Sequence, residues 1–102
     1  FFKFTNVQLI DKDASKLKPG FFSKKKFSLA YFDMDLYEPT YRALLAIEKN
    51  IAINGLIVFD QGNKKKWAER YAIKDFLKNK KNFKKIIINK TYQPDIILKK
   101  IA

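Results

Sequence analysis

Apolar residues fall along this chain in two rhythms. Phe27-Ser28-Leu29-Ala30-Tyr31-Phe32 and Leu56-Ile57-Val58-Phe59 are near-continuous apolar runs. Short runs of this kind predict strands, the first of them covered on both faces. Between them, Leu44, Ile47 and Ile51 recur at spacings of three and four, with Leu45 adjacent, which predicts one apolar helix stripe. Glu38-Pro39-Thr40 opens that helix: Pro is harmless in a first turn, and a carboxylate suits the positive end of the helix dipole. Asn54-Gly55 supplies a left-handed stop. A second amphipathic helix is expected from Trp67 to about Lys80, with Ala68, Ala72, Phe76 and Leu77 on one side.

The rest of the pattern is weaker. Val7-Gln8-Leu9-Ile10 is a short strand candidate, and residues 14–26, punctuated by Pro19-Gly20, have room for a short helix at most. Gln61 to Lys66 is a polar loop. Phe83 to Asn89, with Ile86-Ile87-Ile88, and Ile96-Ile97-Leu98 are two closing strands, separated by a turn or strand start at Tyr92-Gln93-Pro94-Asp95. Strands and helices alternate and then give way to two consecutive strands. That order predicts an α/β open sheet ending in an antiparallel hairpin.

Composition narrows the chemistry. The chain has 102 residues, room for one small domain, and neither Cys nor His. Thiolate nucleophiles, disulfides, His bases and zinc sites of the usual ligand type are thereby excluded. A metal here must be a hard ion held by oxygens. No apolar stretch is long enough to span a bilayer, and the start lacks the layout of a signal peptide, so a cytoplasmic location and no membrane partner are the expectation. The formal charge is +12, with 22 Lys and Arg against 10 Asp and Glu. The Lys clusters at 24–26, 64–66, 78–81 and 84–85 are dispersed and read as solvated faces rather than a nucleic-acid footprint, with an acidic or phosphorylated substrate as the next reading. Lys, Ile, Asn and Phe make up nearly half the chain, a codon-driven profile that weakens any argument from charge alone.

Against that basic background, Asp33, Asp35 and Glu38 fall within six positions at the end of the first apolar run, and Asp60 ends the second. Carboxylates grouped where strands finish incur repulsion and desolvation, an arrangement that suits a metal, a cationic ligand or proton transfer. Ligands of open α/β sheets bind beyond the strands' C-terminal ends. If the two strands are neighbours, their ends lie about 5 Å apart, so Asp33 and Asp60 could share one hard cation, with Asp35 reaching a hydroxyl bound to it. An Asp-x-Asp after a strand also occurs in haloacid-dehalogenase-type phosphatases, where Thr or Val rather than Tyr37 is expected two positions after the second Asp, and in nucleotide-sugar glycosyltransferases. The plainest alternative is that these acids cap a helix and solvate a strand end.

The longer stretch Phe27-Ser28-Leu29-Ala30-Tyr31-Phe32-Asp33-Met34-Asp35-Leu36-Tyr37-Glu38-Pro39-Thr40, followed by Ala43-Leu44, resembles the macrocin O-methyltransferase-like enzymes. Two further blocks match the same pattern in order and spacing: Asn54-Gly55-Leu56-Ile57-Val58-Phe59-Asp60 and Ala72-Ile73-Lys74-Asp75-Phe76-Leu77. The resemblance implies a Rossmann-like class I methyltransferase that moves a methyl group from S-adenosylmethionine to a hydroxyl of a sugar or glycoside. It implies a Mg²⁺-type cation held by Asp33 and Asp60, with Asp35 as general base. Gln61 stands where the family has a further acid; it offers the cation an oxygen without charge. Asp13, in Asp11-Lys12-Asp13-Ala14, is similar to an acid near the cofactor's adenine, although Lys12 replaces a Gly.

The resemblance also implies a sheet order of 3-2-1-4-5-7-6. The family's glycine-rich turn after strand 1 and the acid ending strand 2 have no counterpart among the chain's three glycines. Residues 1–102 are therefore expected to form a single partial domain, the C-terminal half, holding strands 3 to 7. In such a piece the 4-5-7-6 block persists, and Val7–Ile10 either docks beside strand 4 or detaches. A homo-oligomer is compatible with the exposed edge this leaves. The competing reading is an inactive truncated remnant, or a module that binds cations or polyanions.

Overall fold

The computed structural model describes residues 5–64, 66–89 and 92–102. Phe1 to Phe4, Lys65 of the expected polar loop, Lys90 and Thr91 lie outside the described residues. Six elements follow one another: strand β1 (Phe27–Phe32), helix α1 (Tyr37–Ile47), strand β2 (Ile51–Phe59), helix α2 (Glu69–Leu77), strand β3 (Phe83–Ile87) and strand β4 (Ile96–Lys100), with 3-10 turns at Ala14–Lys16 and Glu48–Asn50. The four strands form one sheet in the order β1-β2-β4-β3. β1 and β2 run parallel, and β4 lies antiparallel between β2 and β3. This is the spatial order of the 4-5-7-6 block of a Rossmann-like methyltransferase sheet.

One face of the sheet carries the core. Phe32, Ile57, Phe59, Ile96 and Leu98 pack against Leu44 and Ile47 of α1 and Ile73 and Phe76 of α2. Phe32 and Phe59 are cross-strand partners, their rings 5.1 Å apart. Leu44, Ile57, Phe59, Ala72 and Leu98 are fully buried, as the apolar periodicity of their segments requires.

Three expectations need correction. Val7–Ile10 forms no strand: the segment is irregular and exposed, with Leu9 at 93%. With no neighbouring strand to accept its backbone bonds, its apolar residues have nothing to alternate against. Next, β1 is not covered on both faces. Leu29 and Tyr31 remain 59% and 53% exposed, because α1 and α2 both lie on the opposite side of the sheet.

The third correction concerns Ile51, which opens β2 instead of closing the helix stripe. α1 stops at Ile47 and tightens into the 3-10 turn Glu48–Asn50. Phe27 then pairs with Ile51 while Leu29 pairs with Leu56, so β2 carries a bulge over residues 52–55. Asn54 takes the left-handed conformation at φ 69°. Gly55 is needed for space: a Cβ there would lie 2.7 Å from the Ala52 carbonyl oxygen.

Candidate functional site

The parallel pairing of β1 with β2 builds the site. The ladder runs to Phe32 and Phe59 and continues one step further, where the Asp60 N–H donates to the Phe32 carbonyl at 3.0 Å. Asp33 and Asp60 therefore leave the sheet side by side. The negative charge of Asp60 is the main reason the Asp33 carboxyl sits above its ordinary pKa; burial and Asp35 add to the effect. Asp60 also accepts a 2.6 Å hydrogen bond from the Tyr31 hydroxyl, which pushes that phenol up to about 12.

Asp35 sits at φ 60°, a left-handed conformation that Asp tolerates better than most residues. The turn behind it is tight, with the Leu36 N–H donating to the Met34 carbonyl at 2.7 Å. One carboxylate oxygen of Asp35, Oδ1, is buried with no hydrogen-bond partner, and the Gln61 side-chain Oε1 is in the same condition. Two orphaned acceptors beside an Asp33–Asp60 pair amount to a demand for positive charge or a donated proton.

Glu69 escaped the sequence reading. It opens α2 and is fully buried. Its Oε2 accepts the Met34 and Asp35 N–H groups at 2.9 Å each, and its Oε1 accepts the Gln61 N–H at 3.4 Å. Burial raises its pKa, while the same backbone donors pull it down. A single carboxylate thus ties the loop after β1 to the loop after β2. Its signal in sequence was only a Glu at the start of a helix, which the dipole already explains.

The remaining assigned residues fall apart from this group. Asp13 caps its own turn, accepting from the Ser15 N–H at 3.0 Å and the Ser15 hydroxyl at 2.7 Å. That turn packs on α1 near Arg42 and Leu45, in the second half of the helix. No described contact joins Asp13 to Asp33, Asp35 or Asp60. Tyr37 donates to Asp75 at 2.6 Å and stacks on Tyr41, which ties α1 to α2. Among the described residues, no three acidic side chains converge to hold a metal ion.

The fold finds counterparts among solved structures. The chain is similar to the apo structure of CalS11, a TDP-rhamnose 3'-O-methyltransferase of calicheamicin biosynthesis, with 25% identity and a TM-score of 0.66 over 88% of this chain and 39% of that one. A second structure of CalS11, described as calicheamicin methyltransferase, matches equally well, over 36% of its length. The chain thus spans well under half of the structures it matches. No protein-family model matches it, and no curated protein matches it. Its fold is that of part of a Rossmann-like methyltransferase sheet. No helix among the described residues is long and apolar enough to cross a membrane.

Proposed function

We propose that this chain is the acceptor-side part of an S-adenosylmethionine-dependent O-methyltransferase that acts on a hydroxyl of a sugar or glycoside. The observation that carries the reading is the grouping of Asp33, Asp35 and Asp60 at two adjacent parallel strand ends, in a fold whose solved counterparts are methyltransferases. Two facts support a longer enzyme: the matched structures extend far beyond the shared region, and the outer edge of β1 pairs with nothing among the described strands.

S-adenosylmethionine would supply an electrophilic methyl group. The chain's three glycines have other tasks. Gly20 turns a surface loop, Gly55 fills the β2 bulge and Gly62 packs against Ile73. The donor pocket in this reading belongs to a further part of the protein. The residues in hand serve the acceptor. Asp35 would take the hydroxyl proton on its carboxylate, and Glu69 fixes the backbone on which Asp35 stands. Proton removal of this kind contributes about 10²–10⁴-fold.

A divalent cation is the finer part of the proposal. Asp33, Asp60 and the Gln61 oxygen would hold it, and it would lower the pKa of the acceptor hydroxyl. Two repelling carboxylates and an orphaned amide oxygen fit such an ion, and with only two charged ligands they would hold it weakly. The test is paramagnetic. Mn²⁺ added to the chain should broaden the amide resonances of Asp33, Asp60 and Gln61 first, and an Asp33→Asn variant should abolish that pattern. Broadening spread over other acids, or none at these three, would remove the cation from the mechanism.

A further inference from the structure

A second cavity lies beside this site, and its chemistry is opposite. It has a volume of about 270 Å³ and lies between α2 and the β3–β4 edge. Arg70 and Lys74 line it from one side of α2, one helical turn apart, and Lys85 lines it from β3. Gly62 and Asn63 close it. Those two residues follow Asp60 and Gln61 directly, so the cavity adjoins the loop that carries the site.

Three cations around one cavity repel each other unless something negative joins them. The acids nearby, Asp75 and Asp95, offset them only in part. Of the chain's two arginines, Arg42 is paired with Glu38 at 3.3 Å, whereas Arg70 has no carboxylate partner among the described residues. Asp75, next to Lys74, is occupied by the Tyr37 hydroxyl and by Lys78. Asp95 is buried behind the wall, its Oδ2 accepting the Asn63 N–H at 3.1 Å. Its Oδ1 is buried without a partner, and with Asp75 shared among Tyr37, Lys78 and Lys74 the three cations remain in excess of the acids beside them. A guanidinium flanked by two ammonium groups matches the oxygens of a phosphate or diphosphate.

A second lysine-lined cavity provides the contrast. Lys24, Lys25, Lys26 and Lys49 surround about 370 Å³. They lie at the N-terminal ends of β1 and β2, the end of an α/β sheet where ligands do not bind. That cavity contains no arginine, and Lys26 already donates to the Lys49 carbonyl.

We propose that the Arg70–Lys74–Lys85 cavity binds the phosphate or diphosphate group of a small molecule. Any role as an acceptor pocket rests on the methyl-transfer reading; its capacity to bind an anion does not.

The test uses inorganic pyrophosphate with no metal and no methyl donor. Titrated into the chain, it should shift the Gly62 and Asn63 amides and the Arg70 Nε–H resonance. An Arg70→Gln/Lys74→Gln variant should lose about tenfold or more in affinity, and a Lys24→Gln/Lys25→Gln variant should lose little. A nucleoside diphosphate sugar should compete for the same resonances. These substitutions fall on exposed or half-buried side chains, and circular dichroism verifies the fold. Equal losses in both double variants, shifts scattered over the other lysines, or no binding would overturn the proposal. An Asp35→Asn variant separates the two readings: it should leave pyrophosphate binding unchanged, while methyl transfer by the chain joined to a donor-binding half should fall about 10²–10⁴-fold.

Discussion

Glu69 is the residue on which the geometry of the site depends. Removing its carboxylate leaves the Met34, Asp35 and Gln61 N–H groups without their acceptor, and unsatisfied buried donors cost about 1–3 kcal/mol each. Relief of the buried charge offsets part of that. Glu69→Ala should therefore lower unfolding stability in denaturant by about 2–4 kcal/mol, and Glu69→Gln, which keeps one acceptor oxygen, by less. A loss under about 0.5 kcal/mol would mean that desolvation cancels the bonds. Asp33 has the opposite sign. Its carboxyl is raised, chiefly by Asp60, so the folded state holds that proton more tightly than the unfolded chain does. The repulsion is absent below the ordinary carboxylate range of about 3.9 and sets in as pH rises through the folded value. Asp33→Asn should accordingly melt at a higher temperature than the wild type at pH 7, with the difference closing near pH 3. A difference that persists at pH 3 would assign the effect to something other than charge. Asp33, Asp35 and Asp60 were legible in sequence because each follows an apolar run. Glu69 was not, because its partners are backbone amides thirty-four and thirty-five residues away in the chain, and backbone donors leave no trace in a pattern of side chains.

At the level of elements, the sequence located every described strand and helix except for their ends and the false strand at Val7–Ile10. The ends moved for physical reasons. Ile51 has the spacing of a helix stripe and the side chain of a strand residue. Asn50 decides between them: its Nδ2 donates to the Ser23 and Lys25 carbonyls at 3.0 and 2.7 Å, which anchors the turn before β2 to the segment before β1. Pairing of Phe27 with Ile51 then follows. The bulge that absorbs the extra residues depends on Gly55, where a Cβ would also approach the Phe27 carbonyl oxygen to 3.1 Å. Backbone atoms cannot step aside as a flexible side chain can. Gly55→Ala should cost about 1–3 kcal/mol in denaturant unfolding. A neutral substitution would show that the bulge can open. Asn54-Gly55 does not stop the helix as its sequence predicts: the pair lies inside β2, with the left-handed conformation falling to Asn54 and the close approach to Gly55.

For the whole molecule, the uncovered sheet face is the dominant fact. Leu29 and Tyr31 stand on it at the free edge of β1, next to Leu56 and Val58 on β2. A near-continuous apolar run is the signature of a strand covered on both faces, so the sequence of β1 describes an environment that the described residues only half supply. The chain studied alone should therefore self-associate through this edge. Leu29→Lys should shift its sedimentation toward the monomer, and an unchanged distribution would place the association elsewhere. The most direct measurement uses isotope-labelled S-adenosylmethionine and a sugar-bearing acceptor, with this chain joined to a glycine-rich donor-binding half. The account predicts label on an acceptor oxygen, and a kcat about 10²–10⁴-fold lower for Asp35→Asn with the fold intact. Transfer that proceeds equally well in Asp35→Asn, or a donor that binds while no hydroxyl is ever labelled, would contradict it.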